Sequence, residues 1–105
     1  NKEGLGEGFD ISLVNQISKN ISVPTIAHGG AGNYKHIFDV INKSAITGVA
    51  LSSFLHYEAA KLFKLKKKKI GNYYFIDNLE KNKRITNNLK NIKNFLKKKG
   101  INVRI

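Results

Sequence analysis

Neither cysteine nor methionine occurs in the chain, proline occurs once, and only 7 side chains are acidic against 19 that are basic. Without cysteine there is no disulfide framework and no thiolate metal site, a composition suited to a reducing compartment. Without methionine there is no initiator, so Asn1 is not read as a natural start. No uninterrupted apolar run approaches the roughly 20 residues that cross a bilayer, and the opening "NKEGLGEGFD" lacks the basic-then-apolar order of a secretory signal. A membrane partner is therefore not expected, and the expected location is the cytoplasm. At 105 residues the chain has room for one compact domain with a modest core, and not for two.

The scarcity of acids leaves a formal net charge of +12 and a pI of about 10.0, which points toward nucleic acid or another anionic surface. Lys, Asn and Ile dominate the sequence, however, and AT-rich codons supply these residues without selection for charge. No aromatic-interleaved RNA motif or helix-turn-helix accompanies the lysines, so nucleic acid is not the expected partner. The run Lys66 to Lys69 is most simply a solvated loop or helix end.

Apolar spacing supplies the architecture. After the glycine-rich loop "GLGEG", Asp10 is a fitting N-cap for a helix ending near Asn20, with Ile11, Leu13, Val14, Ile17 and Ile21 on one stripe. "VPTIAHG" from Val23 reads as a strand covered on both faces, Tyr34 to Lys43 as a helix, and "ITGVALSS" from Ile46 as a second buried strand. Helix, strand, helix, strand with short loops is α/β patterning with parallel strands, in a doubly wound sheet or a barrel. Beyond Phe54 no clean period survives, and "NYYFID" fits a short strand or an apolar patch equally. From Asn87 a final helix carries Leu89, Ile92, Phe95 and Leu96 on one face, and Gly100 stops it.

The junction "HGGAGNY" places three glycines between a strand and a helix. Glycine there lets several amide N–H groups point outward together, and the following helix start adds its own unsatisfied donors, so an anion is favoured at that spot. "LSSF" after the next strand offers two hydroxyls beside it, and adjacent strand ends of this kind hold phosphate in many barrels. A tight strand-to-helix turn that uses glycine for geometry alone explains the same residues.

"PTIAHGGAG", "ALSSFLHY" and the terminal "KKGINVRI" resemble the C-terminal part of the cyclase subunit of imidazole glycerol phosphate synthase (HisF), a histidine-biosynthesis (βα)8 barrel. "NKEGLGEGFD" is similar to that family's loop after strand six, usually "RDGT" followed by a glycine, an aromatic and an aspartate. The resemblance covers residues 1 to about 58 and 87 to 105. It implies an α/β fold that is the C-terminal part of a (βα)8 TIM barrel, spanning residues 1–105 with a basic insert at about 59–86. It also implies a lyase that binds a bis-phosphorylated ribonucleotide, takes ammonia from a glutaminase subunit in a heterodimer, and forms imidazole glycerol phosphate without a cofactor.

Carried over by position, the resemblance makes Gly29, Gly30, Ser52 and Ser53 phosphate contacts and sets Glu3 toward the reacting centre as a catalytic carboxylate. The principal acid-base aspartates of the family, on strands one and five, fall before Asn1, so the isolated chain is expected to be inactive. Glu3 replaces the family's aspartate, and a displacement on the order of 1 Å can cost about a hundredfold in rate. Leu5 stands where threonine is usual, and His28 where serine is frequent. His28 is either a neutral hydrogen-bonding group at a strand end or a pH-sensitive phosphate ligand, while His36 and His56 read as structural or surface groups. No spacing among the three suggests a metal site.

Two other readings stay open. A paralogue of the same barrel would pass ammonia to a sugar amidotransferase in surface-polysaccharide synthesis, which the altered "KEGL" and the insert favour. A basic interaction module would instead use the lysines from Lys61 to Lys69 and the last helix to bind an acidic partner or RNA.

Overall fold

A computed structural model of the chain describes residues 2–62 and 88–104. In chain order these form α1 (Ile11–Asn20), β1 (Ile26–His28), α2 (Tyr34–Lys43), β2 (Gly48–Ala50), α3 (Ser53–Leu62) and α4 (Leu89–Lys98). The two strands pair in parallel, Ile26 opposite Gly48, Ala27 opposite Val49 and His28 opposite Ala50. A parallel pair needs a crossover, and α2 provides it.

Three helices begin in the same way. Asp10, Asn33 and Asn88 each accept the N–H three residues on, from Leu13 at 3.1 Å, His36 at 3.0 Å and Asn91 at 2.9 Å, which satisfies a donor that the first turn would leave unpaired. At the far end of α4 the Gly100 and Ile101 N–H groups donate to the Lys97 and Leu96 carbonyls, both at 3.0 Å, closing the helix in a Schellman arrangement. Asn88 caps α4, so the helix starts at Leu89 rather than at Asn87.

The core is Phe9, Ala27, Ala31, Ile37, Val40, Phe54, Ile92 and Leu96, drawn from every element except β2 and α1, which add Val49, Ile11 and Val14 at its margin. Ser18 ties α1 to the end of α2, accepting the Ala45 N–H at 3.1 Å. β1 begins at Ile26, three residues after Val23, because pairing starts only where the Thr25 carbonyl takes the Thr47 N–H at 2.9 Å and its hydroxyl at 3.1 Å.

Two expectations are corrected by burial. The strands are covered on one face, not both: Ala27 is buried under the helices, whereas Ile26 is 66 % exposed on the face it shares with His28, Gly48 and Ala50. The α1 stripe is likewise only half used, since Ile11 and Val14 pack on the core while Leu13, Ile17 and Ile21 are exposed. In both places the pattern specifies a surface for which the described residues hold no second layer.

Helix α3 is an addition to the sequence reading. Phe54, Tyr57 and Glu58 are buried on one face at i, i+3 and i+4, but one member of that face is a carboxylate, which hides the period. The helix continues through Leu62, into the stretch assigned to the insert. The lysine run 66–69 and "NYYFID" lie outside the described residues.

Candidate functional site

The carboxyl ends of β1 and β2 point the same way, as parallel pairing requires, and the segments that leave them lie side by side. His28, Gly29 and Gly30 follow from β1, Ser52 and Ser53 from β2, and the N-terminal loop 2–9 crosses above both.

Glu3 joins the two strand ends. Its Oε2 is 3.3 Å from His28 Nε2, and its Oε1 accepts from the Ser53 hydroxyl at 3.4 Å. The same carboxylate lies against Gly29, with Oε2 3.2 Å from the position a Cβ there would occupy. Three of the residues expected at the site, Glu3, Gly29 and Ser53, are thus in mutual reach, with His28 as a fourth member. Ser52 is exposed one residue before α3, and its carbonyl takes the His56 N–H at 3.0 Å. The cluster is open to solvent, His28 being 52 % and Glu3 38 % exposed at the side chain, so the contact between them contributes at most about 1 kcal/mol.

The glycines of "GGAG" have distinct jobs. Gly30 is buried at φ +101°, and a Cβ there would collide with the Gly8 carbonyl; the Gly8 N–H in turn donates to the Gly30 carbonyl at 2.8 Å. A Cβ on Gly32 would strike the Gly6 carbonyl in the same way. Close approach of two backbones therefore accounts for Gly30 and Gly32. Gly29 differs, since what stands beside it is the end of a flexible carboxylate side chain.

One amide in this loop is committed internally. The Gly32 N–H donates to His36 Nδ1 at 3.2 Å, so it does not face outward with its neighbours. His36 is pushed below the ordinary histidine range mainly by burial, with Lys35 and Lys2 acting the same way and Asp39 opposing them. The sequence reading of His36 as a structural or surface group left its partner open; the available signal was its place three residues after the Asn33 cap, at the turn that faces back onto the glycines.

Among the described residues no three His, Asp or Glu side chains converge as a metal site, and no helix is long and apolar enough to cross a membrane. Alongside β2 a cavity of about 480 Å³ opens between α2, α4 and the C-terminal segment, with Ile41, Ile46, Val49, Leu89, Leu96 and Val103 in its lining.

Sequence comparison places this geometry among known proteins. The chain is 41 % identical over 66 residues to the imidazole glycerol phosphate synthase subunit HisF of Streptococcus sanguinis, covering 63 % of this chain and 26 % of that one. It is 41 % identical over 71 residues to the HisF subunit of Buchnera aphidicola from Acyrthosiphon pisum, covering 68 % and 28 %, and 39 % identical over 66 residues to that of Bacillus cereus, covering 63 % and 26 %. The chain thus spans about a quarter of the length of the curated relatives it matches. The sequence model described as histidine biosynthesis protein matches residues 1–61, the stretch that carries Glu3, both strands, the glycine loop and the serine pair. With more than half of its length matched, and the strand-end cluster inside the match, the chain belongs to the histidine biosynthesis protein family.

Proposed function

We propose that the chain is the C-terminal part of the (βα)8 barrel of an imidazole glycerol phosphate synthase cyclase subunit, entered at the loop after strand six and carrying a basic insert at about 59–86. The parallel pair with its crossover helix supports this, and so does the bare sheet face of Ile26, His28, Gly48 and Ala50, which in a closed barrel is the interior. Carried to this chain from the resemblance, the whole enzyme takes ammonia from a glutaminase subunit and closes the imidazole ring of a bis-phosphorylated ribonucleotide.

Within that reading, Gly29, Gly30, Ser52 and Ser53 hold one terminal phosphate. The backbone N–H groups and the Ser52 hydroxyl are the donors offered to the anion, Ser53 contributes its N–H because its hydroxyl donates to Glu3, and the start of α3 adds backbone donors. Glu3 faces the reacting end as a carboxylate oriented from two sides, by His28 Nε2 and by the Ser53 hydroxyl. A carboxylate so held orients the reacting group rather than carrying the whole acid-base cycle. The two strands among the described residues cannot close a barrel by themselves, and the isolated chain is expected not to turn over substrate.

The observation that carries the proposal is the convergence of Glu3, Gly29 and Ser53, from three separate segments, at one end of a parallel strand pair. Its test is a graft in which residues 1–61 replace the matching segment of the Streptococcus sanguinis relative. Ammonia-dependent formation of imidazole glycerol phosphate is expected to survive the graft and to fall at least tenfold on Glu3→Ala; a soluble, folded graft without turnover rejects it.

A further inference from the structure

Two glycine loops meet above β1, and one side chain from α2 touches both. The His36 ring accepts the Gly32 N–H at Nδ1, 3.2 Å away, and its Cδ2, Cγ and Nε2 stand 3.6 to 3.7 Å from the place a Cβ on Gly8 would take. Gly8 in turn donates to the Gly30 carbonyl at 2.8 Å. The ring is therefore wedged between the N-terminal loop and the glycine loop that it faces.

The N-cap fixes this ring. The His36 N–H donates to Asn33 Oδ1 at 3.0 Å, which commits the Asn33 carboxamide oxygen to the helix start and turns its NH2 toward His36 Nε2, 3.2 Å away. The imidazole consequently looks at two N–H groups, one from Gly32 and one from Asn33. A neutral imidazole has one lone pair to offer them; an imidazolium has none. In the tautomer with its proton on Nε2 the ring satisfies the part-buried backbone donor, and the exposed carboxamide keeps solvent. The cation would confront both donors and satisfy neither.

We propose that His36 is a positioning residue for the phosphate loop: its neutral imidazole turns the Ala31–Gly32 peptide inward, and protonating it frees that peptide and weakens anion binding by Gly29 and Gly30. The idea rests on the phosphate reading above. Burial, Lys35 and Lys2 disfavour the cation while Asp39 favours it, so at neutral pH the ring is neutral and the loop is held. Acidification reverses this. His28 stands at the rim beside Glu3, the other imidazole near this loop.

The test uses the full chain, labelled with 15N, and follows the Gly32 amide and the His36 ring by NMR from about pH 7.5 to about pH 5, either side of the ordinary imidazole range. Inorganic phosphate and inorganic sulfate are the probes, because sulfate keeps its double charge throughout. The His28→Asn background leaves His36 as the imidazole read out near the loop. Gly32 is expected to lose its hydrogen-bonded shift with the same midpoint as His36, and sulfate affinity to fall several-fold over that midpoint. His36→Phe, which fills the space against Gly8 without an acceptor, is expected to bind sulfate several-fold more weakly at neutral pH with no further loss on acidification. His36→Gln retains an acceptor and is expected to keep neutral-pH affinity while losing the pH step. A Gly32 amide indifferent to the His36 titration, or a folded His36→Phe chain that binds as tightly as its parent, overturns the proposal. If the parent ignores both anions at every pH, the phosphate reading fails along with the affinity claim, while the Gly32 midpoint still decides whether His36 holds the loop.

Discussion

Gly8 and Gly30 are locked together backbone to backbone: the Gly8 N–H donates to the Gly30 carbonyl at 2.8 Å, and the Gly8 carbonyl fills the space where a Cβ on Gly30 would project. The contact fastens the loop carrying Glu3 over the end of β1. Gly30→Ala is expected to cost on the order of 3 kcal/mol or more, from a left-handed backbone at φ +101° plus a collision with main chain that cannot swing aside. Gly29→Ala, at φ +88° beside the flexible end of Glu3, is expected to cost only about 1 kcal/mol. Urea unfolding of the two variants checks the contrast.

Glu3 touches Gly29 and Ser53, two of the four residues proposed to hold phosphate, and would place a negative charge beside a bound anion. Glu3→Gln keeps the shape and an acceptor for the Ser53 hydroxyl while removing the charge. In this solvent-open rim the relief is about 1 kcal/mol, or roughly fivefold tighter binding of inorganic phosphate. Calorimetric titration of parent and variant measures it.

Burial separates apolar residues that hold the fold from those that do not. Phe54 is 1 % exposed, and Phe54→Ala is expected to cost about 3–5 kcal/mol, comparable to the whole stability of a small domain. Ile26, 66 % exposed on the bare sheet face, is expected to tolerate Ile26→Thr with a change under about 0.5 kcal/mol and to self-associate less. Thermal unfolding and sedimentation of the two variants give both numbers.

His36 also links pH to stability. Its folded-state pKa lies below the unfolded value of roughly 6.5, so the stabilisation is complete above that value and is lost as pH falls through the lower folded one. The difference in unfolding free energy between the parent and His36→Gln, measured from neutral to acidic pH, is expected to shrink across that window. A difference that stays flat denies the link.

Much of the helical framework was legible because its signals are local. Asp10 before an apolar period gives α1, and the spacing of Ile37, Phe38 and Ile41 after Asn33 gives α2 with its observed bounds. Strand limits were not, because Val23 and Ile26 look alike in sequence and only pairing from Thr25 onward separates them. Helix α3 was lost to the buried carboxylate of Glu58. At the site, glycine content pointed to the right loop, but no one-dimensional pattern states that Gly6 and Gly8 press on Gly32 and Gly30, or that His36 has taken one of the amides. The two glycine contacts join segments more than twenty residues apart in the chain, and they exist only after folding.

The proposed phosphate cradle is tested most directly by titrating inorganic phosphate into the 15N-labelled chain and following every backbone amide. Gly29, Gly30, Ser52 and Ser53 are expected to shift along one common saturation curve, with Gly32 changing least because its N–H already belongs to His36. Amides that stay in place at those four positions, or that move along separate curves, contradict the account.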